Sequence, residues 1–283
     1  MPQFFCGIFG SVMFEKIREI FLSENIEYVG VIPASEMTVI RERLLPDAEI
    51  KSCIVFLAPY KTDYEVKDHY GVSLYARSQD YHIYFSALYG RIIPRLSVLF
   101  PNEQFFGFAD HSPVNEKLAA AKAGLGRIGR NSLLINEKYG SFVFIGSLLT
   151  TLPLPAAARE IQGCDNCEIC VQSCPVQAIA EKGIVREKCL SALTQKKNKN
   201  ENEWSIIKKH GAVWGCDVCQ NVCPMNQNKA RSKIDFFAQN RLDDISEALL
   251  VRMPDEVFKK YPFSWRGKET ILQNLKNLSD NGN

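Results

Sequence analysis

The stretch GCDNCEICVQSCP, residues 163–175, places Cys164, Cys167, Cys170 and Cys174 two, two and three residues apart and ends on Pro175. A second stretch, GCDVCQNVCP at 215–224, adds Cys216, Cys219 and Cys223, again followed by proline. C-x2-C-x2-C-x3-C-P is the bacterial ferredoxin run, in which three cysteines hold one cubane and the fourth reaches a neighbouring cluster. By that rule Cys164, Cys167 and Cys170 bind one 4Fe-4S cluster and Cys174 serves a second. The return run is one cysteine short. Cys189 supplies the missing ligand, joining Cys174, Cys216 and Cys219, while Cys223 crosses back to complete the first site. Two structural zinc sites are the competing reading. Zinc usually takes two well-separated C-x2-C pairs, which this pattern is not.

The rest of the composition is consistent with a reduced environment. Ten cysteines in 283 residues is too sparse for a disulfide scaffold. No export signal is recognisable, and in the cytosol clustered cysteines favour metal over disulfides. A cytoplasmic location is therefore expected. Lys and Arg number 34 against 32 Asp and Glu, so bulk charge does not announce a nucleic-acid binder, and any such surface must be local. No apolar run reaches the length of a membrane span. The N-terminal MPQFFCGIFGSVMF lacks a basic region and a cleavage site and reads as an ordinary leader.

Around the cysteines the pattern is mixed. Helical spacing covers 14–25, strands are expected at 26–33, 53–59 and 104–109, and a helix over 80–93 should kink or end near Pro94. Pro113 suits the first turn of a helix running to Ala123, with Gly124 as its stop. SLLI (132–135), the turn NEKYG and 141–150 form a hairpin candidate. The prolines of TLPLPAAAREIQG (151–163) mark a boundary, and 234–277 reads as helical. This gives an α/β (α+β) chain divided at 1–155, 156–230 and 231–283. Cys53 opens a buried strand and reads as a small core residue; Cys6 is also left over from the cluster pattern.

GLGRIG (124–129) matches the dinucleotide fingerprint, but a helix precedes it and a strand follows, the reverse of what that fingerprint needs. Its glycines read instead as a bend or a close backbone approach. Asp110 follows the aromatic strand FFGF. It, or Ser112, reads as a helix cap. The sharper alternative is a proton donor kept protonated by desolvation among Phe105, Phe106 and Phe108. YARSQDYH (75–82) is either a grip for a large polar cofactor or a solvated helix start. The stretch 186–210, with seven Lys/Arg and three Glu, reads as a solvated loop or, alternatively, a phosphate-facing patch.

Taken in order, YARSQDYH, DHSPVNEK running into AGLGRIGRNSLLI, GSFVFIG, CDNCEICVQSCPVQAI and GCDVCQNVCPMN resemble the epoxyqueuosine reductase family over about 75–226. The resemblance implies a nitroreductase-like domain holding cobalamin, a double-cluster ferredoxin-like domain that feeds it electrons, and a short helical tail. It implies reduction of epoxyqueuosine to queuosine in tRNA, an oxidoreductase activity, with Asp110 as the catalytic acid and Ser73, Tyr75, Arg130 and Asn131 in stretches that line the corrinoid. It also implies an external low-potential reductant such as flavodoxin or ferredoxin and no membrane partner; a monomer is expected. The chain departs from the family at Ser78, Gln79, Asn115, Arg127 and Arg130. Longer members continue into a helical-repeat domain that helps hold the tRNA, where this chain ends at Asn283. Two alternatives stay open at this point: a reductive dehalogenase-like corrinoid enzyme, and a non-catalytic double-cluster electron carrier.

Overall fold

The computed structural model describes residues 3–63, 67, 71–181 and 183–279, with residues 3–11 described as backbone only. Its contacts separate two compact units. One takes the segment ending at Pro59 together with His82–Gly129 and Leu133–Cys164; the other takes Tyr60–Tyr81, Arg130–Ser132 and the chain from Asp165 onward. This differs from a division at 155 and 230. Two short upstream segments join the cysteine region, and the C-terminal residues fold with it.

The first unit is built on a four-stranded antiparallel sheet in the order Tyr28–Pro33, Ser52–Pro59, Val143–Thr150, Phe105–Phe108. Ser52–Pro59 is buried along its whole length, which explains its uninterrupted apolar sequence. On one face Cys53, Val55 and Leu57 share a core with Ala119, Ala120 and Ala121, whose small side chains let the helix Glu116–Lys122 lie close to the sheet. On the other face the Phe56 ring lies 4.7 Å from Phe21 and 5.8 Å from Phe85, centroid to centroid. Those rings come from the helices Gln3–Leu22 and Tyr81–Leu99.

Several expectations need correction here. The N-terminal leader is helical from Gln3 through Leu22; residues 1 and 2 lie outside the described residues. Pro94 sits inside Tyr81–Leu99 without ending it. The expected hairpin closes only at its turn, where Asn136 and Gly140 exchange backbone hydrogen bonds at 2.9 Å each, and its arms pair elsewhere. Leu134–Ile135 pairs with Arg127–Ile128, while Val143–Thr150 pairs along its full length with Ser52–Pro59. A long buried strand gains more from a long buried partner than from a two-residue one. The segment 234–277 breaks into short helices, Glu247–Arg252 and Asp255–Phe258, before the longer Lys268–Ser279.

The second unit has a compact core of its own. Ala212–Trp214 runs parallel to Gly71–Val72, and Trp214 is packed among Phe258, Tyr261, Phe263, Ile271 and Leu275. Asn274, on the last helix, donates to the carbonyls of Thr194 and Val213, at 2.8 Å each. The stretch 186–210 is not a solvated loop. It holds the helices Leu190–Thr194 and Glu201–Lys209, the latter started by a capping box between Asn200 and Glu203.

Gly146 lies under the aromatic face of the sheet, where a Cβ would come within 2.4 Å of Phe56 and of Phe85. Gly146→Ala should destabilise the first unit by about 1–3 kcal/mol, because the rings must shift out of a filled core. Urea unfolding followed by near-UV circular dichroism would show this as a lowered midpoint.

Candidate functional site

In the second unit the cysteines fall at the ends of short elements. Cys170 lies in the helix Ile169–Ser173, and Cys174 follows its end. Cys189 caps Leu190–Thr194, Cys219 lies in Val218–Asn221, and Cys223 precedes the turn Pro224–Asn226. Cys174, Cys189, Cys216 and Cys219 line one small cavity whose other walls are apolar, among them Val176, Ile179, Ile184 and Leu190. These four come from three separate stretches of chain. The backbone N–H of Ala178 donates to Cys174 Sγ at 3.2 Å.

The chemistry of these donors fits an iron–sulfur cluster. Burial pushes the Cys216 thiol up to about 11 and the Cys219 thiol up to about 12, with Cys189 and Cys174 adding like-charge repulsion to both. Thiols so placed become thiolates when a cationic centre takes them as ligands. Among the described residues no three His, Cys, Asp or Glu groups come close enough to hold a single metal ion. Four sulfurs around a cavity, rather than around a point, suit a cubane. None of the described cysteines is in a disulfide. Of the remaining expected ligands, Cys170 is buried and close enough to Cys219 to act on it electrostatically, Cys223 is half-buried and Cys167 is exposed. Cys164 closes the first unit, where its N–H donates to Ile128 O.

The upstream segments of this unit are attached to the cysteine runs. Asp217, between Cys216 and Cys219, accepts hydrogen bonds from Ser73 Oγ at 2.5 Å and from the Leu74 N–H at 2.6 Å. Burial raises its pKa, and those two bonds together with the charges of Arg77 and Lys61 oppose the rise. Gly215 has φ +72°, and a Cβ there would lie 2.5 Å from that of Ser73, so the close approach requires glycine. Tyr75 Oη accepts from Trp214 Nε1 at 3.2 Å, and Asn131 Nδ2 donates to Cys219 O at 3.3 Å. Arg130 Nη2 is 3.8 Å from Glu168 Oε1. Ser73 and Asn131 are buried, so their side chains serve this framework; Tyr75 and Arg130 keep exposed surface. Arg77 is also buried, with Nε toward Val72 O and Nη1 toward Leu242 O and Asp243 O, all at 3.4 Å. That part of YARSQDYH is therefore structural, not a solvated helix start.

In the first unit Asp110 lies two residues beyond the strand Phe105–Phe108, in a left-handed conformation with φ +60°. Its side chain is 69% exposed, and Oδ2 is 3.9 Å from His82 Nε2. The expected aromatic enclosure is absent because Phe106 and Phe108 turn into the core and the chain leaves the sheet before Asp110. The helix cap is Asn115, whose side chain accepts from Leu118 N, and not Asp110 or Ser112. The carboxyl that is enclosed is that of Glu116. It accepts from the Asp110 N–H at 2.9 Å and from Ser147 Oγ at 3.1 Å. Burial pushes it up to about 7, against the lowering effect of those two bonds. Nothing in the local sequence distinguishes it from any other acid in a first helical turn. Gly124 has φ +77°, and a Cβ on Gly126 would meet Ile135 O at 2.6 Å, so GLGRIG is a bend with a close approach.

The family model of the 4Fe-4S double cluster binding domain matches residues 163–226. An epoxyqueuosine reductase from Leadbetterella byssophila is 37% identical over 73% of this chain and 69% of its own length. One from Cellulophaga algicola is 35% identical over 84% of this chain and 78% of its own. The chain belongs to the epoxyqueuosine reductase family. Other epoxyqueuosine reductases are longer: the chain spans 53 to 62% of the length of relatives from Staphylococcus aureus, Gloeobacter violaceus and Synechococcus. The fold is also similar to that of an epoxyqueuosine reductase crystallised with an epoxyqueuosine-modified tRNA-Tyr stem loop. The TM-score is 0.79 at 20% identity, over 95% of this chain and 81% of that one. Among the described residues no helix is long and apolar enough to cross a membrane.

A carboxyl whose folded pKa is raised binds more protons folded than unfolded between about 4.5 and 7, so it makes stability fall as pH rises through that window. Glu116→Gln removes this dependence. Relative to wild type, the variant should gain on the order of 2–3 kcal/mol between pH 4.5 and 8, measured as the difference in urea unfolding free energy at the two pH values.

Proposed function

We propose that this chain reduces epoxyqueuosine to queuosine in tRNA. The observation that carries the reading is the convergence of Cys174, Cys189, Cys216 and Cys219 on one cavity in a chain of this family. In this reading these four hold one 4Fe-4S cluster. Cys164, Cys167, Cys170 and Cys223 hold the other. Removing the epoxide oxygen consumes two electrons and two protons and releases water, and amino-acid side chains cannot supply the electrons.

Cobalamin, when bound, supplies the low-potential metal centre at which the carbon–oxygen bond is reduced. Tyr75 and Arg130, which retain exposed surface, are the side chains that would touch it. Ser73 and Asn131 act beneath them, tying their segments to the cysteine runs through Asp217 and Cys219. Asp110 delivers a proton to the departing oxygen. Its carboxyl is exposed in the described structure, open to a bound substrate and not walled by the phenylalanines. The partners are an epoxyqueuosine-bearing tRNA and an external low-potential reductant, flavodoxin or ferredoxin, and the protein works as a cytoplasmic monomer.

The test is an anaerobic assay with reconstituted clusters, added cobalamin and epoxyqueuosine-containing tRNA, read by nucleoside mass. Loss of 16 Da from the modified nucleoside, on the order of one oxygen atom per turnover, is expected; intact epoxide would overturn the reading. Cys189→Ser should lower bound iron from about eight to about four atoms per chain, leaving one cubane. Full iron content would remove Cys189 from the ligand set. Asp110→Asn should keep iron and cobalamin and lose turnover by about 100-fold or more.

A further inference from the structure

The turn that carries Asp110 is gripped on both sides by residues of its own unit. On one side the peptide N–H of Asp110 donates to Glu116 Oε2 at 2.9 Å, and Glu116 Oε1 is itself tied to Ser147 on the sheet at 3.1 Å. On the other side Arg41 Nη1 donates to Ser112 O at 2.9 Å and reaches Asp110 O at 3.4 Å. Arg41 is held in place by backbone bonds from the Ile40 and Arg41 N–H groups to Pro113 O, at 2.8 and 3.1 Å. The residue entering the turn is fixed as well. Tyr89 Oη donates to Phe108 O at 2.5 Å, and its ring lies against Gly107, where a Cβ would be only 2.6 Å away.

Asp110 needs such support. A non-glycine residue at φ +60° pays a conformational cost, which persists only when neighbouring groups fix the backbone. Its carboxyl oxygen Oδ2 lies 3.9 Å from His82 Nε2, and 69% of the side chain is exposed. The backbone position of Asp110 fixes where its carboxyl can reach, and Glu116 and Arg41 hold that backbone. We propose that Glu116 and Arg41 are positioning residues for Asp110, holding its peptide unit in the left-handed turn that decides where its carboxyl can reach. The role rests on the reading of Asp110 as proton donor. Neither residue touches the reacting atoms. Glu116 faces Arg41, Asp110, Tyr89 and Cys53, and grips the turn as a hydrogen-bond acceptor, so glutamine can replace it, its amide oxygen accepting from the Asp110 N–H while its NH2 donates to the Ser147 hydroxyl oxygen.

The test compares Glu116→Ala, Glu116→Gln and Arg41→Ala in the cluster- and cobalamin-loaded protein, reading amide hydrogen exchange of the peptide containing Asp110 alongside turnover. Arg41→Ala keeps the test open should Glu116→Ala fail to fold. Both alanine variants should speed exchange at Asp110 about tenfold or more and lower kcat roughly 10- to 100-fold, with KM within about twofold. Glu116→Gln should stay within about threefold of wild type in both readouts. In an Asp110→Asn background neither alanine change should lower turnover further, because a group acting only through Asp110 has nothing left to position. Unchanged exchange in both alanine variants overturns the proposal. So does a Glu116→Gln variant as impaired as Glu116→Ala, which would mean the carboxyl acts by its own charge or proton, and so does a further loss on Asp110→Asn. An Asp110→Asn protein that turns over normally instead defeats the reading of Asp110, and the exchange data then decide the grip by themselves.

Discussion

The carboxylate of Asp217 is the contact on which the second unit turns. It lies inside the second cysteine run and accepts from both Ser73 and Leu74, so a segment more than 140 residues upstream is fixed against the loop that carries Cys216 and Cys219. Burying a carboxylate is costly unless its oxygens are satisfied, and here two donors and the nearby charges of Arg77 and Lys61 offset that cost. The arrangement leaves little freedom. Gly215 has no side chain to keep Ser73 away, and Arg77 is satisfied by carbonyls. A shift of the 73–77 turn would strand a buried charge.

The first unit works by a different kind of constraint. Its central strand is buried on both faces, by alanines of one helix and by the rings of two others, so the sheet is a rigid base. Asp110 hangs from its edge. It is exposed and conformationally strained, and it is held through its backbone by groups anchored to that base. A rigid support under a residue open to solvent suits the proton-donor role proposed for Asp110.

The eight-cysteine pattern was legible because cluster spacing is local chemistry: the loop around a cubane is short, and its intervals appear directly in the sequence. Four of those cysteines do surround one cavity. The strand 53–59, the aromatic strand before Asp110 and the helix ending at Gly124 were legible for a similar reason, since continuous burial and glycine stops leave local signatures. The roles of Glu116, Arg41 and Asp217 were not. No local pattern marks any of them, and what distinguishes each is a partner far away in sequence or across a turn.

What the amino-acid order determined by itself was therefore the donor set, the cysteines with their following prolines, and the kinds of element around them. Tertiary structure alone decided which strand Val143–Thr150 would join, that Arg77 would be buried with Asp217 desolvated near it, and that Asp110 would stand outside the aromatic core. The physical reason is range. Metal-ligand spacing and helix stops are set within a few residues, whereas strand pairing, desolvation and the direction of an exposed carboxyl depend on which distant groups the folded chain brings to them.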